Sequence, residues 1–475
     1  MVYVFTPAGL KRRKTISAPR NDMNVPAFKI IPFLMLTLLA GTLTLALPIS
    51  PPNKNVVLIT VDTLRASHLG ICGYEKDTSP EMGKLAQEGI LFVRSSAPSP
   101  STGPSIASLM TSKYPSFHGM LSNIVYFPQE NLTLAEIFKE HDYLTAAFVG
   151  NYMLRSKIGL NKGFQTYDDS CPEQEKVRRH PEKIASTLTK AAGEWLEKNR
   201  EHRFFLWLHY QDPHGPYTPP VPYDKKFDRE SYGAVKEAPL LKTWDNTGWG
   251  GIPWYQGLNG ERDARFYLSQ YDGEIAFVDY QIGKMLDIVK RLDLEKKTII
   301  VLTADHGEAM DNDHGYYFSH EHGLTEDQIR VPLILKDPGG PQAKQVQREV
   351  CLVDIMPTLL DTLGIPKPKN IQGQNLFENK EEMIFGEHEG LDYSVRLGRY
   401  KLINQAGEKL FYDLETDPDE SRNLSNQKTR IGRELDVLLT TYMKKAKQAK
   451  IHKTPYKPTP EEIRKLRSLG YINQP

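Results

Sequence analysis

The chain has 475 residues, of which 39% are hydrophobic and 25% are charged, a composition typical of a globular protein and not of a disordered one. Its 60 Lys and Arg residues against 59 Asp and Glu residues leave a formal charge of +1, so no overall field favours nucleic acid as a partner. Three cysteines are too few for a disulfide framework or a cysteine-based metal site.

The N-terminal segment combines a basic cluster with an apolar run. Residues 11–14 read Lys-Arg-Arg-Lys, and residues 30–47 contain no charged side chain. The run is just long enough to span a bilayer, and a cleaved signal peptide is the alternative. Basic residues before the run predict an inside N-terminus and export of the remaining chain. We expect a cytoplasmic tail over residues 1–27, a transmembrane anchor or signal peptide over 28–48, and a catalytic part at the membrane, in the periplasm or secreted.

Short apolar runs alternate with helical patterns over residues 53–378, which we predict to form the catalytic domain. The runs are typical of buried parallel strands and lie at residues 55–61, 144–149, 204–208, 298–303 and 331–335. The main helical patterns cover 181–200 and 264–292. This alternation predicts an α/β fold, a mostly parallel sheet between helices, which binds ligands at the carboxyl ends of its strands.

The C-terminal part has a different texture. Shorter segments at residues 383–388, 396–404 and 409–414 precede a charged helical pattern at 429–449. They predict a C-terminal subdomain over residues 379–475, a smaller antiparallel sheet packed with a helix.

Three polar residues directly follow predicted core strands. Asp62 follows the first strand, and Asp305 and His306 follow the fourth. Two carboxylates and an imidazole at one sheet edge form a plausible site for one divalent metal ion. The nitrogen ligand favours zinc or manganese over calcium, which prefers oxygen ligands. The alternative is that these residues only cap turns.

Residues 101–111 read as a loop that runs into a helix, with Pro104 suited to the first turn. The free N–H groups of a helix start favour an anionic ester. The hydroxyl of Thr102, with a metal beside it, is a candidate nucleophile. A simple helix cap is the alternative.

Six motifs stand out along the chain: Val61-Asp62-Thr63-Leu64-Arg65, residues 104–111, Asp212-Pro213-His214, residues 303–308, residues 330–333, and Tyr412-Asp413-Leu414. They occur in the order found in the sulfatases of the alkaline phosphatase superfamily, and the chain resembles a bacterial sulfatase over nearly its whole exported length. The resemblance implies an alkaline-phosphatase-like fold and metal ligation by Asp62, Asp305 and His306. It also implies a nucleophile at Thr102 and active-site roles for His214 and His322, with His314 as a weaker candidate.

The chain also departs from the usual sulfatase pattern. Thr102 stands where those enzymes carry the Cys or Ser that becomes formylglycine, Ile106 replaces an arginine, and Thr63 replaces a second aspartate. Threonine with two aspartates and a histidine resembles the phosphodiesterase, phosphonate-ester and phosphoethanolamine-transferase branches of the superfamily.

The resemblance implies a metal-dependent hydrolase of sulfuric or phosphoric esters that acts through a covalent intermediate on Thr102. Its expected substrate is an anionic ester of a glycan, a lipid or a small molecule. A phosphoryl or phosphoethanolamine-type transferase or phosphodiesterase is one alternative, and an inactive sulfatase-like binding protein is another.

Residues 219–263 contain Trp244, Trp249 and Trp254 and are predicted to form a substrate-recognition insertion, or alternatively a small accessory core.

Overall fold

The computed structural model describes residues 53–174, 181–233, 240–241, 246–378, 383–449, 451 and 454–468. The predicted tail and apolar run of residues 1–48, and Trp244, lie outside the described residues. Within the part of the chain that is described, no helix combines the length and apolar character needed to cross a membrane.

An eight-stranded sheet lies at the centre of the catalytic part. In chain order its strands are β1 (Asn55–Val61), β2 (Ile90–Ser96), β3 (Leu144–Val149), β4 (Thr166–Asp168), β5 (Phe204–Tyr210), β6 (Thr298–Ala304), β7 (Arg330–Lys336) and β8 (Lys344–Cys351). Their spatial order is β8-β2-β7-β6-β1-β5-β3-β4. Strand β7 runs antiparallel to both of its neighbours, and all other pairs are parallel. The predicted mostly parallel sheet is confirmed.

The central strands are buried along their whole length, because helices cover both faces of a sheet of this kind. The α-helices are α1 (Pro80–Gln87), α2 (Thr102–Thr111), α3 (Pro115–His118), α4 (Leu134–Glu140), α5 (Ala185–Asn199), α6 (Ala264–Arg291), α7 (Glu326–Ile329), α8 (Ile355–Thr362), α9 (Arg430–Gln448) and α10 (Pro460–Ser468). Every residue of α2 is buried, which holds its first residue, Thr102, in a fixed place.

A second, four-stranded antiparallel sheet follows, as predicted. Its strands are β9 (Met383–His388), β10 (Asp392–Leu397), β11 (Tyr400–Gln405) and β12 (Glu408–Asp413). Residues 396–404, predicted as one segment, belong to two strands of a hairpin. Gly398, at a φ of +55°, allows the tight two-residue turn between them.

The predicted runs also omitted β2, β8 and the three-residue strand β4. Strand β8 is an edge strand whose first half is largely exposed, so its sequence alternates charged and polar residues and shows no apolar run. Strand β2 is buried at its apolar start but continues into Arg94, Ser95 and Ser96.

His118 packs behind helix α2 in its neutral form. Its Nε2–H donates to the Ser108 hydroxyl over 2.9 Å, and its Nδ1 accepts the N–H of Met120 over 3.2 Å. The Ser108 hydroxyl itself donates to the carbonyl of Pro104, so it accepts from the ring. Burial, aided by Lys113, lowers the pKa of His118 from 6.5 to about 3.

We expect His118 to make the fold sensitive to acid. Between pH 6.5 and pH 3 the unfolded chain binds a proton that the folded chain excludes, so stability falls as the pH drops through this window. At pH 5 the contribution of this residue is a loss of about 2 kcal/mol in the free energy of unfolding. Urea unfolding at pH 7.5 and pH 5 should show a smaller loss for His118→Gln than for the parent. Equal losses would contradict this assignment.

Candidate active site

The carboxyl ends of four neighbouring parallel strands bring a buried polar cluster together. Asp62 follows β1, Asp305 and His306 follow β6, and Asn151 comes two residues after β3. His209 is the second-to-last residue of β5. All five are buried, four of them completely.

The two predicted aspartates each have one engaged and one unpartnered oxygen. Asp62 Oδ2 accepts a hydrogen bond from Asn151 Nδ2, and Asp305 Oδ1 accepts the backbone N–H of Thr63 at 3.2 Å and of His306 at 2.8 Å. Asp62 Oδ1 and Asp305 Oδ2 are buried and have no hydrogen-bond partner. Such atoms are costly unless a cation or a donor meets them.

His306 faces these two unpartnered oxygens. Its Nε2 lies 3.8 Å from Asp62 Oδ1 and 3.6 Å from Asp305 Oδ2. Its Nδ1 is 2.9 Å from the carbonyl of Gly307, so Nδ1 carries the proton and Nε2 presents a lone pair. The Oγ1 atom of Thr102 is 3.2 Å from the same Nε2. The structure thus brings all four of these predicted site residues together.

Burial and mutual charge shift the ionisation of this cluster. Burial, together with the Asp62 carboxylate, raises the pKa of Asp305 to about 7. Burial would also raise the pKa of Asp62, but the hydrogen bond from His209 and the nearby His214 hold it below its usual value. Two anions this close require a compensating positive charge if both are to be ionised.

His209 is a site residue that the sequence analysis missed. Its Nε2 is 3.4 Å from the engaged Oδ2 of Asp62, and its Nδ1 is 2.8 Å from the Thr60 hydroxyl. That hydroxyl accepts from Trp207 Nε1 and donates to Nδ1, which is nearer than the alternative acceptor, the carbonyl of Leu208, at 3.3 Å. His209 therefore presents an N–H to Asp62. Ligand atoms of Asp62, His209 and Asp305 nevertheless lie within 4.8 Å of one another, which makes His209 the alternative nitrogen ligand.

His320 places a positive charge beside the cluster, and it was also missed. Its ring lies 4.8 Å from the ring of His306 and 5.1 Å from that of His214. Its Nδ1 is 3.3 Å from Glu308 Oε1. Burial would lower the pKa of His320, but the Glu308 carboxylate raises it to about 9. The predicted site residue His214 is thus joined to the cluster through His320.

His322 packs in an aromatic group. Its ring stacks on Tyr316 at 4.3 Å and an interplanar angle of 6°, and its backbone N–H donates to Gln328 over 3.0 Å. Burial lowers the pKa of His322 well below its ordinary value, so the ring is neutral. Trp249 also contacts this aromatic group. Its ring packs edge-on against Tyr316 with the ring centroids 5.1 Å apart, and the residue is 57% exposed.

The start of helix α2 is fixed by its surroundings. The N–H of Gly103 donates to Asn123 Oδ1 over 2.7 Å, and Asn123 Nδ2 in turn donates to Glu321. The Ser105 hydroxyl donates to the carbonyl of Asp305 over 2.6 Å, which ties the helix to the end of β6. Ile106 is fully buried in the hydrophobic core, so no charged group extends from that position into the site.

Comparisons with known proteins agree with this arrangement. The family described as Sulfatase matches residues 54–365, and the family described as N-sulphoglucosamine sulphohydrolase, C-terminal, matches residues 312–448. The chain is 27% identical over 443 residues to the ulvan-active sulfatase of Formosa agariphila, covering 84% of this chain and 82% of that protein.

Two solved structures share the fold. The phosphonate monoester hydrolase of Agrobacterium radiobacter superposes with a TM-score of 0.66 at 22% identity, covering 83% of this chain and 95% of that one. A protein in complex with its substrate D-glucosamine-2-N,6-O-disulfate also has a TM-score of 0.66, at 20% identity, covering 84% of this chain and 99% of that one. The predicted sulfatase resemblance and alkaline-phosphatase-like fold are confirmed. Because the Sulfatase match covers more than half of the chain, the protein belongs to the sulfatase family of ester hydrolases.

Proposed function

We propose that this protein hydrolyses sulfuric or phosphoric monoesters with the unmodified hydroxyl of Thr102 as nucleophile. The position of Thr102 Oγ1 carries the proposal. This atom lies at the buried start of α2, 3.2 Å from His306 Nε2, which also faces the unpartnered aspartate oxygens. A plain helix cap is a weaker explanation, because Ser101 occupies the N-cap position of α2 and the Thr102 hydroxyl faces His306.

A divalent metal ion fits the donor set. Asp62 Oδ1 and Asp305 Oδ2 offer two unpartnered oxygens, and His306 Nε2 offers the lone pair that faces both. We assign these three residues as ligands and His209 as the residue that orients Asp62. The mixed oxygen and nitrogen set favours zinc or manganese, with calcium as the alternative. A bound ion would lower the pKa of a nearby hydroxyl and neutralise charge on the ester oxygens.

The side chains of this protein then carry out a two-step displacement. The Thr102 oxygen forms a bond to phosphorus or sulfur, its proton passes to solvent, and the bond to the leaving oxygen breaks. His214, beside the cationic His320, delivers a proton to that oxygen. Water then attacks the threonyl ester, which releases inorganic phosphate or sulfate and restores the hydroxyl.

Nitrophenyl phosphate and nitrophenyl sulfate test this function directly. We expect turnover of at least one of them by the metal-loaded full-length protein, and the ratio of the two rates identifies the ester class. A preference for phosphate would place the protein with the phosphonate and phosphodiester branches. Stoichiometric metal without turnover of either ester, or of a phosphodiester, would support an inactive binding protein.

We further propose that the natural substrate carries its ester on a sugar. The solved structure with a bound glucosamine disulfate shows that this fold accepts a sulfated aminosugar in a related protein. In this chain, Trp249 is largely exposed and its ring contacts Tyr316, which in turn stacks on His322. A flat aromatic face is suited to packing against the apolar face of a sugar ring.

Replacing Trp249 by alanine should raise KM for a sulfated or phosphorylated sugar several-fold and leave KM for the nitrophenyl ester unchanged. The control is Trp195→Phe, a change in helix α5, where Trp195 packs against Phe204. Equal losses on both substrates, together with a lower melting temperature, would instead identify residues 246–263 as an accessory core.

A further inference from the structure

A second group of metal-binding side chains lies outside the active site. His314 belongs to the loop after β6, Asp327 to helix α7, and Glu420 to the loop after β12. One ligand atom from each lies within 4.8 Å of the others. His314 Nε2 is 3.8 Å from Asp327 Oδ1.

Asp327 is the member that the surrounding protein leaves unsatisfied. The residue is 8% exposed, and both of its carboxylate oxygens are buried without a hydrogen-bond partner. The nearby cation Arg65 is already paired with Asp313 and donates to the carbonyl of Glu308. Leaving a carboxylate buried and unpaired costs several kcal/mol, so this position calls for a cation or a proton.

The space beside Asp327 is large enough for an ion. A cavity of about 80 Å³ is lined by all three residues of the group and also by Arg65, Asp313 and Arg330. This volume would hold an ion with its waters, since a cavity of about 10–15 Å³ by this measure already holds one water. Glu420 is held by the N–H of Glu326 at 2.6 Å and by Lys401 at 2.9 Å, so its carboxylate has a fixed position at the cavity wall.

We propose that His314, Asp327 and Glu420 bind a second divalent metal ion of the zinc or manganese class. One imidazole and two carboxylates are the ligand types that these ions take in proteins. The ion can enter past His314, since 29% of the His314 side chain is accessible to solvent. The proposal does not depend on the chemistry of Thr102.

Such an ion would join the loop that carries His320 and His322 to the C-terminal subdomain. The carbonyl of Gln328, next to Asp327, accepts the N–H of Gly307 over 2.7 Å, and Gly307 follows His306 directly. Glu420 belongs to the C-terminal part. The ion would therefore stabilise the backbone around His306 without touching the substrate.

Metal stoichiometry of the full-length protein tests the proposal. After removal of metal with a chelator and reloading with zinc, elemental analysis should find two ions in the parent, one in His314→Gln and one in Asp305→Asn. The surface variant His202→Gln is the matched control and should retain two. Zinc should also raise the melting temperature of the parent more than that of His314→Gln.

An unchanged stoichiometry and zinc-induced shift in His314→Gln would overturn the proposal and indicate that Asp327 holds a proton or waters. If His314→Gln instead lacks a calcium ion that the parent holds, and the parent binds neither zinc nor manganese at this position, the metal class is wrong. Asp327→Asn, which preserves the shape of the side chain, provides the second variant if His314→Gln does not fold, and it should also bind one ion.

Discussion

Replacing Thr102 by alanine is expected to abolish turnover while folding and metal content stay unchanged. The hydroxyl supplies the atom that bonds to phosphorus or sulfur, and removal of a covalent nucleophile costs several orders of magnitude in kcat. Thr102→Ser keeps the hydroxyl but loses the methyl group that restricts its rotamer, so it should keep partial activity.

The matched control for Thr102→Ala lies in the same helix. Thr111 is also buried, and its hydroxyl donates to the carbonyl of Ala107 over 2.7 Å, at the end of α2 away from the site. Thr111→Ala should retain the parent kcat. A loss in Thr102→Ala of less than about tenfold, or about 1.4 kcal/mol, would be too small for a nucleophile and would leave water as the attacking group.

The second large effect is expected from Asp305→Asn. The amide keeps the size of the carboxyl and can still accept the N–H of Thr63 and of His306, but it removes the charge next to Asp62. We expect loss of the active-site ion and a fall of more than about a hundredfold in kcat/KM, because the bound ion would contribute several kcal/mol of transition-state stabilisation. Elemental analysis and steady-state kinetics measure the two effects.

Two comparisons make the result specific. Asp279→Asn changes another buried aspartate, whose two oxygens accept the N–H groups of Glu81 and Met82 away from the site. The amide keeps one of these bonds, so this variant should lose some stability but retain metal and activity. His306→Ala should lose the ion as Asp305→Asn does, whereas His209→Gln should keep it. Retention of the ion in His306→Ala with loss in His209→Gln would show that His209 is the nitrogen ligand.

The sequence predicted the parts of the site that follow a simple positional rule. Asp62, Asp305 and His306 come directly after apolar runs, and parallel strands bring such residues to one edge. Asn151 obeys nearly the same rule, two residues after β3, and could have been found by it. Its amide donates to Asp62.

The missed histidines lacked such a signal. His209 lies inside β5, where a polar residue appeared to end the apolar run at Leu208, although the strand continues to Tyr210 and is buried throughout. His320 lies in the loop of residues 307–325, which has no periodic pattern, and only tertiary packing brings its ring to His306. The same reason applies to the group formed by His314, Asp327 and Glu420. Its members lie in the loop after β6, in helix α7 and in the loop after β12, and only tertiary packing brings them together.

Mass spectrometry of the peptide that contains residue 102, from protein quenched during turnover, shows whether Thr102 forms the covalent intermediate. We expect an unmodified threonine in the resting protein and an added phosphoryl or sulfuryl mass on Thr102 in the quenched sample. An aldehyde at this position, or active protein in which the peptide never carries the added mass while Thr102→Ala retains turnover, would contradict it.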